Sequence, residues 1–152
     1  MSSFLGTDTY AIDHKGRISV PASLRRAPGK KPLTTFIVNS GFDGCVAMYS
    51  LDEWSRMMER LSKISKGSRE GRAFQRAFMQ HARQVTVDAQ GRIPIPPALM
   101  DHAGLRKEAI LHGANDHVEI WDPERFRAAL EPVTRTEGRY EALAEKLFKD
   151  EA

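Results

Sequence analysis

The chain of 152 residues contains one segment twice, and this repeat restricts its fold more than any other feature. Residues 10–24 recur as residues 85–99, and both copies keep the pattern Asp-x-x-Gly-Arg-Ile. Further along, the offset falls from 75 to 72, and Gly41 corresponds to Gly113. The three residues are lost near the Pro- and Gly-containing stretch 27–32, which is typical of a loop. Matches on both sides of a loop deletion indicate two copies of one structural unit.

Each copy begins with a predicted β-hairpin. Residues 10–12 and 17–20 are rich in β-branched and aromatic side chains, as strands are. The Asp-x-x-Gly pattern between them favours a type I turn, in which the Asp side chain caps backbone N–H groups and the Gly takes a positive φ. The turn residues assigned in the two copies are Asp13, Gly16, Asp88 and Gly91.

The remaining elements follow from turn residues and apolar periodicity. Pro21 and Pro96 are expected at the first position of a short helix, because a missing N–H costs nothing there. A second hairpin is predicted in each copy, with strands at 36–38, 46–49, 109–111 and 118–121. Helices are predicted at 51–63, at 69–82 and at 134–148, the last of them opened by Thr136. The resulting division is a first unit at 7–54, a helical connector at 55–81, a second unit at 82–125 and a C-terminal helical segment at 126–152.

Composition favours an ordinary protein of the reducing cytoplasm. The net charge is only +3, but residues 1–76 hold 13 Lys/Arg against 7 Asp/Glu, or +6, while residues 77–152 hold 10 against 13, or −3. Such asymmetry allows a basic surface to face nucleic acid. No stretch approaches the length of a membrane helix, and Cys45 lacks a second cysteine for a disulfide or metal pair. We therefore expect no membrane partner.

Enzyme motifs are missing from the sequence. It has no phosphate-binding G-x-x-x-x-G-K-[ST], no nucleophile motif G-x-S-x-G and no zinc motif H-E-x-x-H. A hydrolase is therefore the least supported class. We expect no enzymatic activity, no cofactor and no metal.

The repeated Asp and Arg side chains allow two interpretations. Asp13 and Arg17 can form an ion pair across the hairpin loop, and for Asp13 and Asp88 the structural interpretation is the better one. For Arg17 and Arg92 a structural role and a DNA contact are equally supported, since Arg binds phosphate or guanine in a bidentate manner. The candidate DNA-binding residues are Lys15, Arg17, Arg25, Arg26 and Arg92. The second copy has Gln90 in place of Lys15, so the first copy is expected to dominate DNA contact.

The paired motifs Asp-His-Lys-Gly-Arg at 13–17 and Asp-Ala-Gln-Gly-Arg at 88–92, each followed by Ile-x-[Val/Ile]-Pro, resemble those of the MraZ family. The resemblance extends from about Phe4 to Phe148. It implies an α+β fold: a pseudo-two-fold β-barrel built from two tandem SpoVT-AbrB-like units of the swapped-hairpin type, with peripheral helices.

The resemblance also implies a function. A nucleoid-associated transcriptional regulator, usually a repressor, is expected to bind short direct repeats in double-stranded DNA as a ring-shaped homo-oligomer, usually of eight subunits. The implied target is the promoter of the division and cell-wall gene cluster, including the regulator's own gene. The alternative is an AbrB-like protein-interaction or antitoxin-type module without operator specificity.

Overall fold

The protein has an α+β fold, described here by a computed structural model for residues 3–26 and 29–150. The strands in this part of the chain are β1 Thr7–Ala11, β2 Arg17–Ser19, β3 Thr35–Ser40, β4 Val46–Ser50, β5 Arg83–Thr86, β6 Arg92–Pro94, β7 Glu108–Gly113 and β8 Val118–Trp121. The α-helices are α1 Leu51–Ser62, α2 Arg69–Met79, α3 Pro97–Ala103, α4 Pro123–Thr134 and α5 Arg139–Asp150.

The two units exchange strands. Six strands form an antiparallel sheet in the order β1-β7-β8-β4-β3-β5, and β2 pairs with β6 in a second, two-stranded sheet. The first strand of each unit therefore pairs with the third strand of the other unit, β1 with β7 and β5 with β3. The predicted α+β fold of two units with swapped hairpins is confirmed.

The strand pairing has an approximate two-fold symmetry. In the small sheet Ile18 lies opposite Ile93, its equivalent at offset 75. In the large sheet Ala47 lies opposite Glu119, its equivalent at offset 72. Because equivalent residues face each other at both places, a pseudo-two-fold axis passes between the two units through both sheets. The repeat in the sequence is thus a repeat in space.

The strands that flank each repeated loop do not form an extended local hairpin, which corrects the prediction for residues 10–20. Within that hairpin the strands meet only at the bridge between Ile12 and Ile18. The loop closes as expected, since Asp13 N donates to Arg17 O at 2.9 Å and Gly16 has a φ of +75°. Beyond the loop, β1 and β2 diverge to partners in the other unit.

One apolar core lies between the two sheets. The inward-facing side chains of both sheets are almost completely buried, and they include Ile18, Phe36, Val38, Val46, Met48, Ile93, Leu111, Val118 and Ile120. Burying one such side chain stabilises the folded state by about 1.5–3 kcal/mol. Since both units contribute side chains to this core, neither unit encloses a core of its own.

The positions of two helix starts were wrong in the prediction. Pro21 and Pro96 are N-cap residues, and Pro97 occupies the first turn of α3. In the first unit the corresponding helix is a single 3-10 turn, Ala22–Leu24.

The predicted helix 134–148 is also wrong at its N-terminal end. Helix α4 continues to Thr134, whose Oγ1 donates to Leu130 O at 3.0 Å. Helix α5 begins only at Arg139, after Gly138 with a φ of +74°.

Helices α1 and α2 cover the outer face of the large sheet on the side of the first unit. Ser50 and Ser68 cap the two helices, because each hydroxyl accepts a hydrogen bond from a backbone N–H in the first turn. Trp54 of α1 stacks on Phe78 of α2 with ring centroids 6.1 Å apart. Within residues 3–26 and 29–150, no helix has the length and apolar character required to cross a bilayer.

Candidate nucleic-acid interface

The two repeated loops, loop 1 (residues 13–17) and loop 2 (residues 88–92), lie side by side at the β2–β6 sheet. Val20 N donates to Gly91 O at 2.9 Å, and the equivalent bond runs from Ile95 N to Gly16 O at 2.8 Å. Each loop is therefore held by the strand end of the other unit. Sites separated by 75 residues in the sequence meet on one surface.

An aspartate fixes the backbone of each loop. Oδ1 of Asp13 accepts hydrogen bonds from the backbone N–H groups of Lys15 and Arg17, both at 2.9 Å, and Oδ2 accepts from Arg17 Nε at 2.8 Å. Asp88 accepts the equivalent three bonds at 2.9 Å, two of them from Arg92. One carboxylate thus shapes the turn and positions the arginine that follows it.

These hydrogen bonds stabilise the charged form of both aspartates. The backbone N–H of Arg17, helped by its guanidinium and by the Lys15 N–H, lowers the pKa of Asp13 from 3.8 to about 2 against a smaller opposing effect of burial. The pKa of Asp88 is lowered in the same way, chiefly by the backbone N–H of Arg92. Both carboxylates are consequently ionised at neutral pH and remain partners for the arginines.

The two motifs also contact each other. Arg92 Nη1 lies 3.5 Å from Oδ2 of Asp13, the same oxygen that accepts from Arg17 Nε. Roughly a quarter of each arginine side chain, 29% for Arg17 and 26% for Arg92, is exposed to solvent. Within the described residues, the Nη atoms of both arginines have no hydrogen bond. Since Arg92 Nη1 is ion-paired with Asp13, the Nη atoms of Arg17 and Nη2 of Arg92 are the donors that remain for an outside acceptor.

The outward face of the β2–β6 sheet carries the arginines because side chains alternate along a strand. Ile18 and Ile93 point into the core, while Arg17 and Arg92 are half-buried on the opposite face. Ser19 is directly opposite Arg92 and is exposed. Ser19 was not among the candidate site residues. Its place two residues after Arg17 in a predicted strand indicates that both side chains lie on the same face of the sheet.

The other predicted basic residues are placed differently from one another. Lys15 is exposed on loop 1. The Arg25 Nε donates to Val20 O at 2.8 Å, and its Nη2 lies 3.6 Å from where a Cβ on Gly91 would stand, so Arg25 is beside loop 2. Arg26 instead lines a separate shallow depression together with Leu5. The structure therefore brings four of the five candidate cations to the loops and places the fifth on another patch.

Comparison with known proteins agrees with this doubled architecture. The family model described as "MraZ protein, putative antitoxin-like" matches the chain twice, at residues 3–77 and 78–148. The chain belongs to the MraZ family. The two matches correspond to the two repeats, and each matched half of this chain contains one Asp-x-x-x-Arg loop.

Proteins named "Transcriptional regulator MraZ" are similar to the chain over most of its length. The one from Heliobacterium modesticaldum is 40% identical over 145 residues, which cover 95% of this chain and 96% of the relative. The one from Thermomicrobium roseum is 43% identical over 129 residues, 84% of this chain and 87% of the relative. A third, from Pediococcus pentosaceus, is 37% identical over 145 residues, 95% of this chain and 96% of the relative.

Proposed function

We propose that this chain is a transcriptional regulator that binds double-stranded DNA through the outward face of the β2–β6 sheet. The observation that carries the proposal is the placement of Arg17 and Arg92 side by side on this face, where Arg17 Nε and Arg92 Nη1 both lie within 3.5 Å of one carboxylate oxygen of Asp13. The similarity to proteins named transcriptional regulators supports it.

The geometry suits DNA for two physical reasons. A two-stranded antiparallel ribbon fits into the major groove, where a guanidinium can donate two hydrogen bonds to O6 and N7 of a guanine. A guanidinium can also bind a backbone phosphate in a bidentate manner. Asp13 and Asp88 accept hydrogen bonds from the Nε atoms of Arg17 and Arg92, so both guanidinium groups are oriented before DNA binds. Less side-chain entropy is therefore lost on binding.

Lys15 and Arg25 add cations beside the loops and supply the sequence-independent part of the affinity by neutralising phosphates. Loop 2 has Gln90 where loop 1 has Lys15. The first unit therefore contributes more to affinity, and Arg26, on its separate patch, contributes little to this surface.

In this proposal units 7–54 and 82–125 form the DNA-contacting body, while segments 55–81 and 126–152 serve assembly. A ring of copies bound to short direct repeats gains avidity, because each additional contact becomes intramolecular. The expected target is the promoter of the division and cell-wall gene cluster, to which the regulator's own gene belongs. Binding there is expected to repress transcription of the cluster. The protein then acts in the cytoplasm on the nucleoid.

A direct test is fluorescence anisotropy with a DNA fragment from upstream of the protein's own gene and a scrambled fragment of equal length. We expect tighter binding to the upstream fragment, and affinity for both fragments that falls steeply with salt. Equal affinity for the two fragments would favour the interaction-module alternative. Footprinting on the upstream fragment then locates the repeats.

A further inference from the structure

The positive charge of the chain is concentrated in one segment. Residues 60–83 hold seven Lys/Arg against one Asp/Glu, or +6, whereas the other residues hold 16 against 19, or −3. Four of these cations belong to α2 and the turn before it, and we refer to them as the basic stripe: Lys66, Arg69, Arg72 and Arg76. Helix α2 therefore presents cations on a chain whose remainder carries a net negative charge.

The basic stripe runs along one side of α2. Arg69, Arg72 and Arg76 follow the spacing i, i+3, i+7, which places their side chains on the same side of a helix. Lys66 joins them, because it lines a shallow depression together with Arg72 and Arg76. Arg72 Nη1 donates to Lys66 O at 2.8 Å, which fixes the half-buried Arg72, while the other three side chains are exposed. The stripe is thus a continuous cationic surface in contact with solvent.

No carboxylate neutralises the stripe. Within the described residues none of its four cations forms an ion pair, whereas Arg56 of α1 pairs with Glu53 and Arg135 after α4 pairs with Glu131. Neighbouring arginines of the stripe are three or four residues apart, and like charges at these spacings destabilise a helix. Clustered positive charge without compensation on one face is typical of a surface that binds a polyanion.

The apolar side of α2 is used in packing within the chain. Phe78 is buried and stacks on Trp54 of α1, with ring centroids 6.1 Å apart. Phe74 stacks in turn on Phe78, with ring centroids 5.9 Å apart. A basic helix that binds a bilayer inserts its apolar side among the lipids. Because this side of α2 packs on α1 and the sheet, the stripe suits the phosphates of nucleic acid better than a membrane surface.

The fold does not require these cations. Helix α5 follows α4 in the second unit as α2 follows α1 in the first. Helix α5 holds three Lys/Arg against three Asp/Glu, whereas α2 holds three against one. A helix forms at both places, so helix formation does not depend on an excess of positive charge. The excess on α2 is a property of its surface.

We propose that the basic stripe binds the phosphate backbone of a second DNA duplex while the β2–β6 sheet holds the first. Helix α2 packs on the large sheet, and the β2–β6 sheet lies across the core from it. Packed sheets lie about 10 Å apart and a helix adds about 10 Å, so a straight duplex on one surface does not reach the other. From Arg69 to Arg76 the helix rises about 10 Å, which corresponds to about three phosphates of one strand.

The inference rests on the proposed function and extends it. The stripe supplies a sequence-independent contact, because it meets only the DNA backbone. Segment 55–81 thereby has a second role beside assembly. A regulator with two DNA surfaces holds two segments of duplex together.

The first test is a full-length stripe variant, Arg69→Gln with Arg76→Gln. Both side chains are exposed and Gln forms helices about as well as Arg, so we expect the melting temperature and oligomer size of the wild type. In anisotropy titrations the variant should bind the scrambled fragment more weakly. The slope of log K against log salt should fall by about two, or about one for each lost phosphate contact.

A matched charge control is Arg127→Gln with Arg135→Gln. Both residues are exposed, one on α4 and one just after it, and the net charge falls by the same amount as in the stripe variant. We expect this control to bind the scrambled fragment like the wild type. Equal losses in the control and the stripe variant would show that net charge alone matters, and would overturn the proposal.

Bridging of two duplexes is the decisive measurement. The donor-labelled upstream fragment is first added at a concentration that saturates the β2–β6 surfaces, and an acceptor-labelled scrambled duplex follows. We expect energy transfer between the labels with the wild type and with the charge control. The stripe variant should lose this transfer while still binding the upstream fragment, because it retains Arg17 and Arg92.

Other outcomes would overturn the proposal. Unchanged transfer in the stripe variant would show that two duplexes are held by other surfaces. A changed oligomer size would assign the stripe to a contact between copies. Wild-type binding to phosphatidylglycerol vesicles that the stripe variant loses, with unchanged DNA affinity, would assign it to a membrane surface.

Failure of the proposed function gives a different result from failure of this inference. If the β2–β6 sheet does not bind DNA, Arg17→Ala with Arg92→Ala should bind both fragments like the wild type, whereas the stripe variant should still lose affinity for the scrambled one. If only the stripe fails, these effects are reversed.

Discussion

Arg92 Nη1 lies 3.5 Å from Asp13 Oδ2, so an arginine of the second unit contacts the loop of the first. The same oxygen accepts a hydrogen bond from Arg17 Nε at 2.8 Å. A reciprocal ion pair between Arg17 and Asp88 is not formed in the described part of the chain. Asp13 therefore connects the two units at the proposed DNA surface, and Asp88 serves its own loop.

Acid should destabilise the protein partly through Asp13. Its pKa is lowered from 3.8 to about 2 in the folded state, so this carboxylate contributes stability above pH 4 that is lost as pH falls from about 4 towards 2. In Asp13→Asn the acid limb of a plot of unfolding free energy against pH should be flatter than in the wild type. Urea titrations from pH 2 to 7 measure this, and Asp8→Asn, an exposed strand residue, is the control. An identical acid limb in D13N would contradict the assignment.

Gly16 and Gly91 should be intolerant of alanine because of backbone conformation. Their φ values are +75° and +79°, and a Cβ at either position would meet other atoms only at ordinary contact distance. The strain is therefore in the backbone, and Gly16→Ala or Gly91→Ala should each cost about 1–2 kcal/mol. Chemical denaturation measures this cost. Gly67→Ala, at a glycine without a positive φ, is the matched control and should change stability less.

The first unit should not fold alone. In residues 1–64 the strands β1, β2 and β3 would lose their partners β7, β6 and β5, and the core would lose Ile93, Leu111, Val118 and Ile120. Unpaired strands with half a core are insufficient for a stable domain. We expect no cooperative thermal transition for this fragment in circular dichroism. A sharply melting monomer would contradict the exchanged pairing.

Arg25 and Arg26, adjacent in sequence, should differ in their effect on DNA affinity. Arg25 lies beside loop 2, and Arg26 lies on another patch with Leu5. Arg25→Ala should weaken binding to specific and scrambled DNA alike and reduce the slope of log K against log salt by about one, as expected for a lost phosphate contact. Arg26→Ala should leave both quantities close to wild type. Equal losses in the two variants would place Arg26 at the interface as well.

The repeat made the two units and the doubled loop predictable from sequence, and the resemblance to the MraZ family implied the α+β fold. Residues 13–17 and 88–92 form local turns, and each turn aspartate accepts a hydrogen bond from the backbone N–H two residues later, as Asp commonly does in turns. The partner of each strand was not available from these residues. Residues 10–20 have the same local pattern whether their strands pair with each other or with strands 75 residues away, and the choice depends on the packing of Ile18 opposite Ile93.

The site and the last helix show the same limit. The contact between Arg92 and Asp13 exists only because β2 and β6 pair, so inspection of either motif alone could not find it. The sequence predicted one final helix over 134–148, opened by Thr136. Thr134 instead ends α4, and α5 begins only at Arg139, after Gly138 with its positive φ.

The central claim is that Arg17 and Arg92 bind DNA, and titration of Arg17→Ala and Arg92→Ala against the upstream and scrambled fragments at two salt concentrations tests it most directly. We expect each variant to keep the size and melting temperature of the wild type. A lost base contact should cost about 1–3 kcal/mol of binding free energy per site and reduce the ratio of affinities for the upstream and scrambled fragments. A lost phosphate contact should lower the affinity for both fragments alike and reduce the slope of log K against log salt. Arg127→Ala, an exposed arginine on α4, is the matched control. If both loop variants bind the upstream fragment as tightly as the wild type, the arginines serve only the ion pairs with Asp13 and Asp88, and DNA binds elsewhere.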